Sequence, residues 1–206
     1  MPRAGLDRAT VIAAGAALAD EVGLAGLTMG LLAERLGVRT PSLYKHVENL
    51  ESLHRGISVQ AKADLTQALA RATAGRSGAD AGRALADAWR RWALDHPGRY
   101  AAGDRVPAPG DEEHVRVTND LLQLLYDVLA GFDLHGTHAV DAARAFRSAL
   151  HGFTALEAAG GFGLPGDIDR SFHFLIDTVI AGLQTPHPAT PPDDDRPEAR
   201  FHPLPG

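Results

Sequence analysis

Cysteine is absent from the 206 residues, which excludes disulfide bonds, thiolate zinc sites and cysteine nucleophiles. The sequence also lacks any run of about 18 consecutive apolar residues, so it predicts no transmembrane helix. Its first residues lack the apolar core of a secretory signal, and we expect the protein to stay in the cytoplasm. No segment shows the strict apolar alternation of a half-buried strand, so strands are not predicted either.

Excess positive charge is missing as well, because the formal net charge is -6 at pH 7. This balance argues against a surface wrapped entirely in nucleic acid, but it allows a local basic face. In residues 1–56 the basic and acidic side chains are equal in number, so the surplus acid lies downstream. With 45% hydrophobic and 22% charged residues, the composition is typical of a globular protein of one ordinary domain or two small ones.

Apolar residues recur at helical spacing throughout the chain, which predicts an all-α fold. Asp7 is the expected N-cap of a first helix that ends at Gly23, and Thr28 caps a short second helix that Gly37 terminates. The third helix is predicted within Gly37–Val47, where Pro41 occupies an early helical position.

Further helices are predicted from Asn49 to Gly75, through Trp92 to a turn at His96–Gly98, from Asp111 to Gly131, from His138 to Ala159, and from Asp167 onward. Residues 185–206 are rich in proline and contain three consecutive aspartates, so we expect a disordered tail. The predicted domains are a helix-turn-helix domain (1–48), a helical ligand-binding and dimerisation domain (49–184) and this tail.

Residues 37–47, "GVRTPSLYKHV", are called the recognition segment below. Leu43 and Val47 are four residues apart and would anchor it to the core. Its hydrogen-bonding side chains then project outward, and such donors read base edges and phosphates. A helix, a glycine turn and a short helix are the order of a helix-turn-helix unit. A short polar helix that caps a bundle with merely solvated charges is the alternative.

Residues 23–38 ("GLAGLTMGLLAERLGV") and 41–53 ("PSLYKHVENLESL") resemble the N-terminal domain of the TetR family of bacterial transcriptional regulators, in order and spacing. The resemblance implies that Thr28 and Tyr44 contact phosphates and that Lys45 and His46 flank the groove. It assigns base contacts to Arg39, Thr40, Pro41 and Ser42. Many relatives carry a phosphate-binding lysine at the start of the fourth helix, where this chain has Leu50.

The C-terminal part resembles this family in helix count and placement. Residues 146–163 ("FRSALHGFTALEAAGGFG") are similar to a ligand-domain subgroup with a tryptophan-histidine-glycine signature, with Phe146 near the usual tryptophan. The candidate ligand contacts are Trp89, Trp92, Tyr126, Phe146 and His151. Ordinary core packing explains the aromatic residues equally well, and a hydrogen-bonded core or interface role is the default for His151.

In this family the last two long helices pair across a two-fold axis. The helix predicted at His138–Ala159 suits such pairing, because a stripe of small residues (Ala145, Ala149, Gly152) lies beside its large apolar stripe. The predicted interface residues are Phe153, Leu156, Phe172, Leu175, Ile176, Val179 and Leu183.

His135, His138 and Asp141 are spaced as metal ligands could be, but no further ligand follows from the spacing and a helix start explains them better. We predict no metal, no cofactor and no catalytic residues.

The resulting hypothesis is a homodimeric DNA-binding regulator, a repressor that a small apolar or amphipathic molecule releases from a near-palindromic operator. The alternative is a helical carrier or enzyme that keeps the fold without binding DNA. Activation in place of repression is a further alternative.

Overall fold

The structure, a computed structural model, describes residues 6–185. That range contains nine α-helices and no strand, which confirms the predicted all-α class. The helices are α1 (Arg8–Val22), α2 (Met29–Arg35), α3 (Thr40–Leu43), α4 (Leu50–Thr73), α5 (Gly78–Asp95), α6 (Pro97–Gly103), α7 (Glu112–Leu129), α8 (Gly136–Ala158) and α9 (Ile168–Leu183). Short 3-10 turns follow α1 and α7.

Four of the predicted helix starts are confirmed by hydrogen bonds. Asp7, Thr28, Asn49 and Asp167 each accept a bond from a backbone N–H of the following turn, at distances between 2.7 and 3.2 Å. Such bonds satisfy donors that have no partner inside a helix. These four boundaries therefore follow from side chains within three residues of each helix start.

The fifth helix ends at Asp95, before His96–Gly98 as predicted, but the sequence did not predict the further helix α6 that begins at Pro97. Pro97 is tolerated there because the first helical position needs no N–H donor. A Cβ at Gly98 would lie 2.1 Å from the carbonyl carbon and oxygen of Ala19, so only glycine lets α6 approach α1 this closely. The recognition segment is also less helical than predicted, because α3 ends at Leu43.

The chain divides into two compact units. Unit 1 comprises residues 1–64 and 95–117, and unit 2 comprises residues 65–94 and 118–206, so α4 and α7 each carry residues of both. The predicted functional domain limits at residues 48 and 184 stay a prediction. The predicted disordered tail lies outside the described residues beyond Thr185.

Unit 1 packs α1, α2, α3 and the start of α4 around one apolar core, with α6 against α1. Its fully or almost fully buried residues include Val11, Leu18, Leu27, Leu32, Leu43, Val47, Leu53 and Ile57. Each such side chain contributes roughly 1.5–3 kcal/mol of burial. This core holds the recognition segment in place.

Unit 2 is built around α8 and α9, with Phe146, Leu150, Phe172 and Ile176 almost completely buried. Arg90 of α5 joins these helices. Its Nε lies 2.6 Å from Glu157 of α8, its Nη2 lies 2.7 Å from Asp169 of α9, and its guanidinium stacks 4.8 Å from the Phe172 ring centroid. None of the helices in the described range has the length and apolar character that a membrane crossing requires.

Candidate nucleic-acid interface

The turn between α2 and α3 has a complete C-terminal capping motif. Gly37 adopts a φ of +64°, which favours glycine. The Gly37 N–H donates to the Glu34 carbonyl and the Val38 N–H donates to the Ala33 carbonyl, both at 3.0 Å. This pair of bonds is the Schellman arrangement. The turn between the two helices therefore has a fixed geometry that starts from one glycine.

Helix α3 has only four residues, and the rest of the recognition segment continues as a hydrogen-bonded turn. The N–H groups of His46 and Val47 both donate to the Leu43 carbonyl, at 2.9 and 3.0 Å. Tyr44, Lys45 and His46, which the sequence placed on the third helix, follow its last residue. Four residues allow a single hydrogen-bonded turn, so α3 depends on packing for its stability.

Leu43 and Val47 supply that packing. Leu43 has no exposed surface and Val47 is 2% exposed, as their spacing predicted. Val38 is half-buried against the same core. Burial of the apolar side in the core of unit 1 therefore leaves the polar side of the recognition segment facing solvent.

The candidate DNA contacts are on the outer side. Thr28, Arg39, Pro41, Tyr44 and Lys45 are exposed, with 51% of the Tyr44 surface accessible. The remaining candidates, Thr40, Ser42 and His46, are half-buried. The Thr28 hydroxyl oxygen accepts the capping bond of α2, which leaves its hydrogen free to donate outward.

Arg39 and Lys45 differ in their pairing from several other basic residues of unit 1. Four arginines of that unit are neutralised by carboxylates: Arg35 by Glu21, Arg55 by Asp111, Arg99 by Asp20 and Arg105 by Glu51. Within residues 6–185, no carboxylate forms an ion pair with Arg39 or Lys45. Their two positive charges can therefore meet an anionic partner without breaking an internal pair.

Leu50 occupies the position at the start of α4 where the family resemblance leads us to expect a lysine. It is half-buried and packs against the core of unit 1, so its side chain supports the fold and offers no charge to a phosphate. Asn49, the residue before Leu50, caps α4: its Oδ1 accepts a hydrogen bond from the Ser52 backbone N–H at 2.8 Å.

The candidate ligand residues belong to unit 2. Trp89, Trp92 and Phe146 are buried, and Tyr126 and His151 are half-buried. Burial raises the pKa of the Tyr126 phenol above its usual value, which keeps it a neutral hydrogen-bond donor.

Thr154 is a residue that the sequence did not single out. It is 1% exposed, and its hydroxyl oxygen has no hydrogen-bond partner among the described residues. It follows Phe146 and Leu150 on the buried side of α8. Helical spacing alone could have located it, but not its missing partner.

The predicted dimer residues divide into two groups. Phe172, Ile176 and Leu183 are buried within the subunit itself, whereas Leu156 is 53% exposed and Phe153, Leu175 and Val179 are half-buried. Phe174 was missed, although 75% of its surface is exposed on α9. The prediction used the buried stripe of α9, and only the packing distinguishes that stripe from the outer one.

The metal alternative at His135 has no support from geometry. His135 precedes the first residue of α8 without capping it by its side chain, and its Nε2 lies 2.9 Å from Asp133 Oδ1. Among the described residues, no group of three or more potential ligands could hold a metal ion.

Known protein families match both parts of the chain. "Bacterial regulatory proteins, tetR family" matches residues 11–53, and "Tetracyclin repressor-like, C-terminal domain" matches residues 83–179. The tryptophan-histidine-glycine subgroup stays a prediction.

Individual relatives extend the likeness over most of the chain. An uncharacterized HTH-type transcriptional regulator of Mycobacterium tuberculosis is 37% identical over 184 residues, which are 88% of this chain and 83% of the relative. A second such regulator, from Bacillus subtilis, is 33% identical over 88% of this chain and 95% of its own length. The crystal structure of a TetR variant from Acinetobacter baumannii in complex with minocycline is 27% identical, with a TM-score of 0.66, over 87% of this chain and 97% of that one. The chain therefore belongs to the TetR family of bacterial transcriptional regulators, which are not enzymes.

Proposed function

We propose that the protein is a cytoplasmic, homodimeric repressor whose recognition segment binds a near-palindromic operator and whose unit 2 binds a small apolar or amphipathic effector. One observation carries the proposal: four arginines of unit 1 are paired with carboxylates, whereas Arg39 and Lys45 of the same unit are not. Phosphate neutralisation needs charges that are exposed and not already paired. The buried Leu43 and Val47 keep these charges outward.

The candidate contacts divide into two roles. Thr28, Tyr44 and Lys45 are assigned to phosphates, together with His46 at the groove edge. Arg39, Thr40, Pro41 and Ser42 are assigned to bases, where an arginine can make a bidentate contact to guanine.

Fluorescence anisotropy with the DNA that flanks the protein's own gene tests these roles. Replacing Lys45 by alanine should weaken binding to all sequences and lower the slope of log affinity against log salt by about 1. Replacing Arg39 by alanine should cost about 1–3 kcal/mol on the preferred site and reduce its preference over mutated sites. Arg83→Ala in unit 2 is the matched control, since Arg83 is equally basic but exposed and paired with Asp177.

Loss of the sequence preference by Lys45→Ala, with Arg39→Ala unchanged, would reverse the two roles. No specific complex at low salt with any flanking DNA would favour the carrier alternative.

The effector proposal rests on the composition of unit 2. Buried Trp89, Trp92 and Phe146 offer apolar surface, while His151 and the unpaired Thr154 hydroxyl offer hydrogen bonds. A solved relative holds minocycline. Titration with the apolar dye N-phenyl-1-naphthylamine should quench tryptophan fluorescence, because both tryptophans lie in unit 2. No quenching at saturating dye would argue against an apolar site there.

The dimer proposal rests on the outer sides of α8 and α9. Phe174 and Leu156 are exposed, and a Cβ at Gly152 or Gly182 would meet nothing within 4 Å. Such small positions let a second backbone come close, and TetR-family regulators act as dimers. Phe174→Glu should therefore yield monomers in analytical ultracentrifugation. Leu164→Glu, which changes an equally apolar residue that is 89% exposed in the loop before α9, should leave the dimer intact.

A further inference from the structure

Unit 1 contains a polar cluster that the DNA contacts do not use. Ser58 and Lys62 of α4 and His114 of α7 are 0%, 6% and 2% exposed. His114 Nε2 lies 3.0 Å from the Ser58 hydroxyl and 2.8 Å from Lys62 Nζ. Lys62 Nζ also donates to the Arg105 carbonyl at 2.8 Å. These three residues are called the latch.

The hydrogen bonds of the latch determine the protonation state of His114. A lysine ammonium group can only donate, so His114 Nε2 must accept from Lys62 and therefore carry no proton. A protonated His114 would present an N–H and a positive charge to that ammonium group at 2.8 Å. The latch as seen is thus compatible only with the neutral imidazole.

Other charged groups surround the latch. Asp111 at the α7 N-terminus accepts a hydrogen bond from the backbone N–H of His114 at 3.1 Å, and its other carboxylate oxygen lies 3.8 Å from the ring atom Nδ1 of His114. Arg55 of α4 pairs with Asp111 and Glu113, and Arg105 approaches from the loop before α7. Burial, then the Lys62 charge, lowers the pKa of His114 to about 4, against the opposing effect of Asp111.

The position of the latch connects it to DNA binding. Its two α4 residues are on the helix that begins three residues after Val47, the last residue of the recognition segment. The same helix packs under the helix-turn-helix, where a Cβ at Gly15 of α1 would lie 3.0 Å from the Leu53 side chain and 3.4 Å from that of Ile57. Fixing α4 to the start of α7 therefore fixes the support of the recognition segment.

We propose that Ser58, Lys62 and His114 form a proton-sensitive latch between α4 and the first turn of α7, which acid opens, and that opening weakens operator binding. This inference rests on the proposed DNA-binding function. In the open arrangement, His114 reaches water and has the ordinary histidine pKa of 6.5. Protonation then favours the open arrangement, because only that arrangement accommodates the charge.

The expected size follows from the two pKa values. Between pH 7.5 and pH 5.5, the ratio of open to closed latch should rise about tenfold. Amide hydrogen exchange measures this ratio even when the open form is rare. The protection factors of the α4 amides near Ser58 and Lys62 should therefore fall about tenfold over this range, after correction for the intrinsic pH dependence of exchange.

His114→Gln is the test variant. A glutamine carbonyl can accept from both Ser58 and Lys62 but does not titrate, so protection should change less than about twofold between the two pH values. His54→Gln is the matched control: His54 is also on α4 and burial also lowers its pKa, but its Nε2 has no partner among the described residues. It should behave like the wild type.

Operator affinity completes the test, measured by anisotropy at constant ionic strength with DNA flanking the protein's own gene. Relative to His114→Gln, wild-type affinity should fall from pH 7.5 to pH 5.5 by the loss of closed fraction that exchange measures, and by no more than about tenfold. An affinity that does not follow the closed fraction would overturn the coupling of the latch to DNA binding. Because both proteins keep the recognition segment unchanged, any pH effect of that segment cancels in this comparison.

Several outcomes would overturn the latch. These are equal pH dependence of amide exchange in the wild type and His114→Gln, a loss of that dependence in His54→Gln instead, or an NMR titration of the wild-type His114 ring with a pKa at or above 6.5. The NMR measurement needs no variant, so it decides the matter even if His114→Gln fails to fold. Absence of operator binding at pH 7.5 would instead contradict the proposed DNA-binding function and leave the exchange result as the test of the latch.

Discussion

The two units of the chain each hold a partly buried arginine between two carboxylates, but the surroundings differ. In unit 2, Arg90 links three helices through Glu157 and Asp169, and Phe153 and Phe172 lie against its guanidinium. In unit 1, Arg55 links only α4 and α7, through Asp111 and Glu113, and the buried pair of Lys62 and His114 lies beside it.

This difference separates two uses of buried charge. Arginine and carboxylate side chains keep their charges between pH 5.5 and pH 7.5, so the Arg90 cluster should work as a permanent cross-link. The pair in unit 1 contains a histidine, whose charge can change in that range. The Lys62–His114 pair should therefore respond to protons where the Arg90 cluster does not, and this pair lies in the unit that carries the recognition segment.

The largest effect should come from Gly98→Ala in unit 1. The added Cβ would overlap the Ala19 backbone at 2.1 Å, and backbone cannot rotate away, so we expect a loss of about 3 kcal/mol or more in the free energy of unfolding. Gly103→Ala on the same helix meets nothing within 4 Å and should leave stability unchanged or slightly higher. Urea denaturation of both variants gives the comparison, and equal stabilities would contradict the close approach of α6 to α1.

Arg90→Met in unit 2 is expected to cost about 3 kcal/mol, because Glu157, only 15% exposed, would lose its partner. Arg83→Met provides the contrast, since its pair with Asp177 is more than half exposed and should be worth less than about 1 kcal/mol. Thermal unfolding of both variants measures the difference. If the two changes cost the same, the Arg90 cluster would not be the cross-link described here.

The next largest effect on the free energy of unfolding is expected in unit 1, when the pH is lowered. The unfolded chain binds a proton at His114 below its ordinary pKa of 6.5, whereas the folded chain resists protonation until about pH 4. The free energy of unfolding must therefore decrease as the pH falls through this range, by about 1.4 kcal/mol at pH 5.5. Guanidinium denaturation at pH 7.5 and pH 5.5, with His114→Gln as the reference, measures this term. If the free energy of unfolding instead rose towards pH 5.5 in the wild type alone, the lowered pKa of His114 would be contradicted.

The smallest effects should come from threonine-to-valine changes of opposite sign. Thr28→Val removes the cap of α2 and should cost about 1 kcal/mol. Thr154→Val removes a buried hydroxyl that has no partner among the described residues, so it should raise stability by up to about 1 kcal/mol. Differential scanning calorimetry resolves such shifts. Destabilisation by Thr154→Val would indicate a hydrogen bond that the unliganded chain makes in solution.

Local hydrogen bonding made the helix boundaries of unit 1 predictable. Thr28 caps α2 and Gly37 ends it, and both depend on residues at most four positions away. Burial of Leu43 and Val47 also followed from their spacing. The length of α3 did not, because a single turn is too short for periodicity to separate helix from the turn that follows it.

Phe174 shows where the pattern of α9 was insufficient. Its helix has apolar residues on more than one side, so the pattern identified a core stripe but not the apolar residue left outside. The latch escaped detection for a related reason, since Lys62 and His114 are 52 residues apart and no short motif connects them.

The sequence by itself determined the all-α class, the helix caps, the glycine turn and the apolar anchors of the recognition segment, because each depends on neighbours within one or two helical turns. Only the tertiary structure decided which charges are neutralised inside the protein and which stay free for a partner. Arg39 and Arg55 are the same residue type in neighbouring segments, yet only Arg55 meets a carboxylate, Asp111, brought from 56 positions away. The physical reason is that charge pairing depends on distance in space, which is set by how the helices pack.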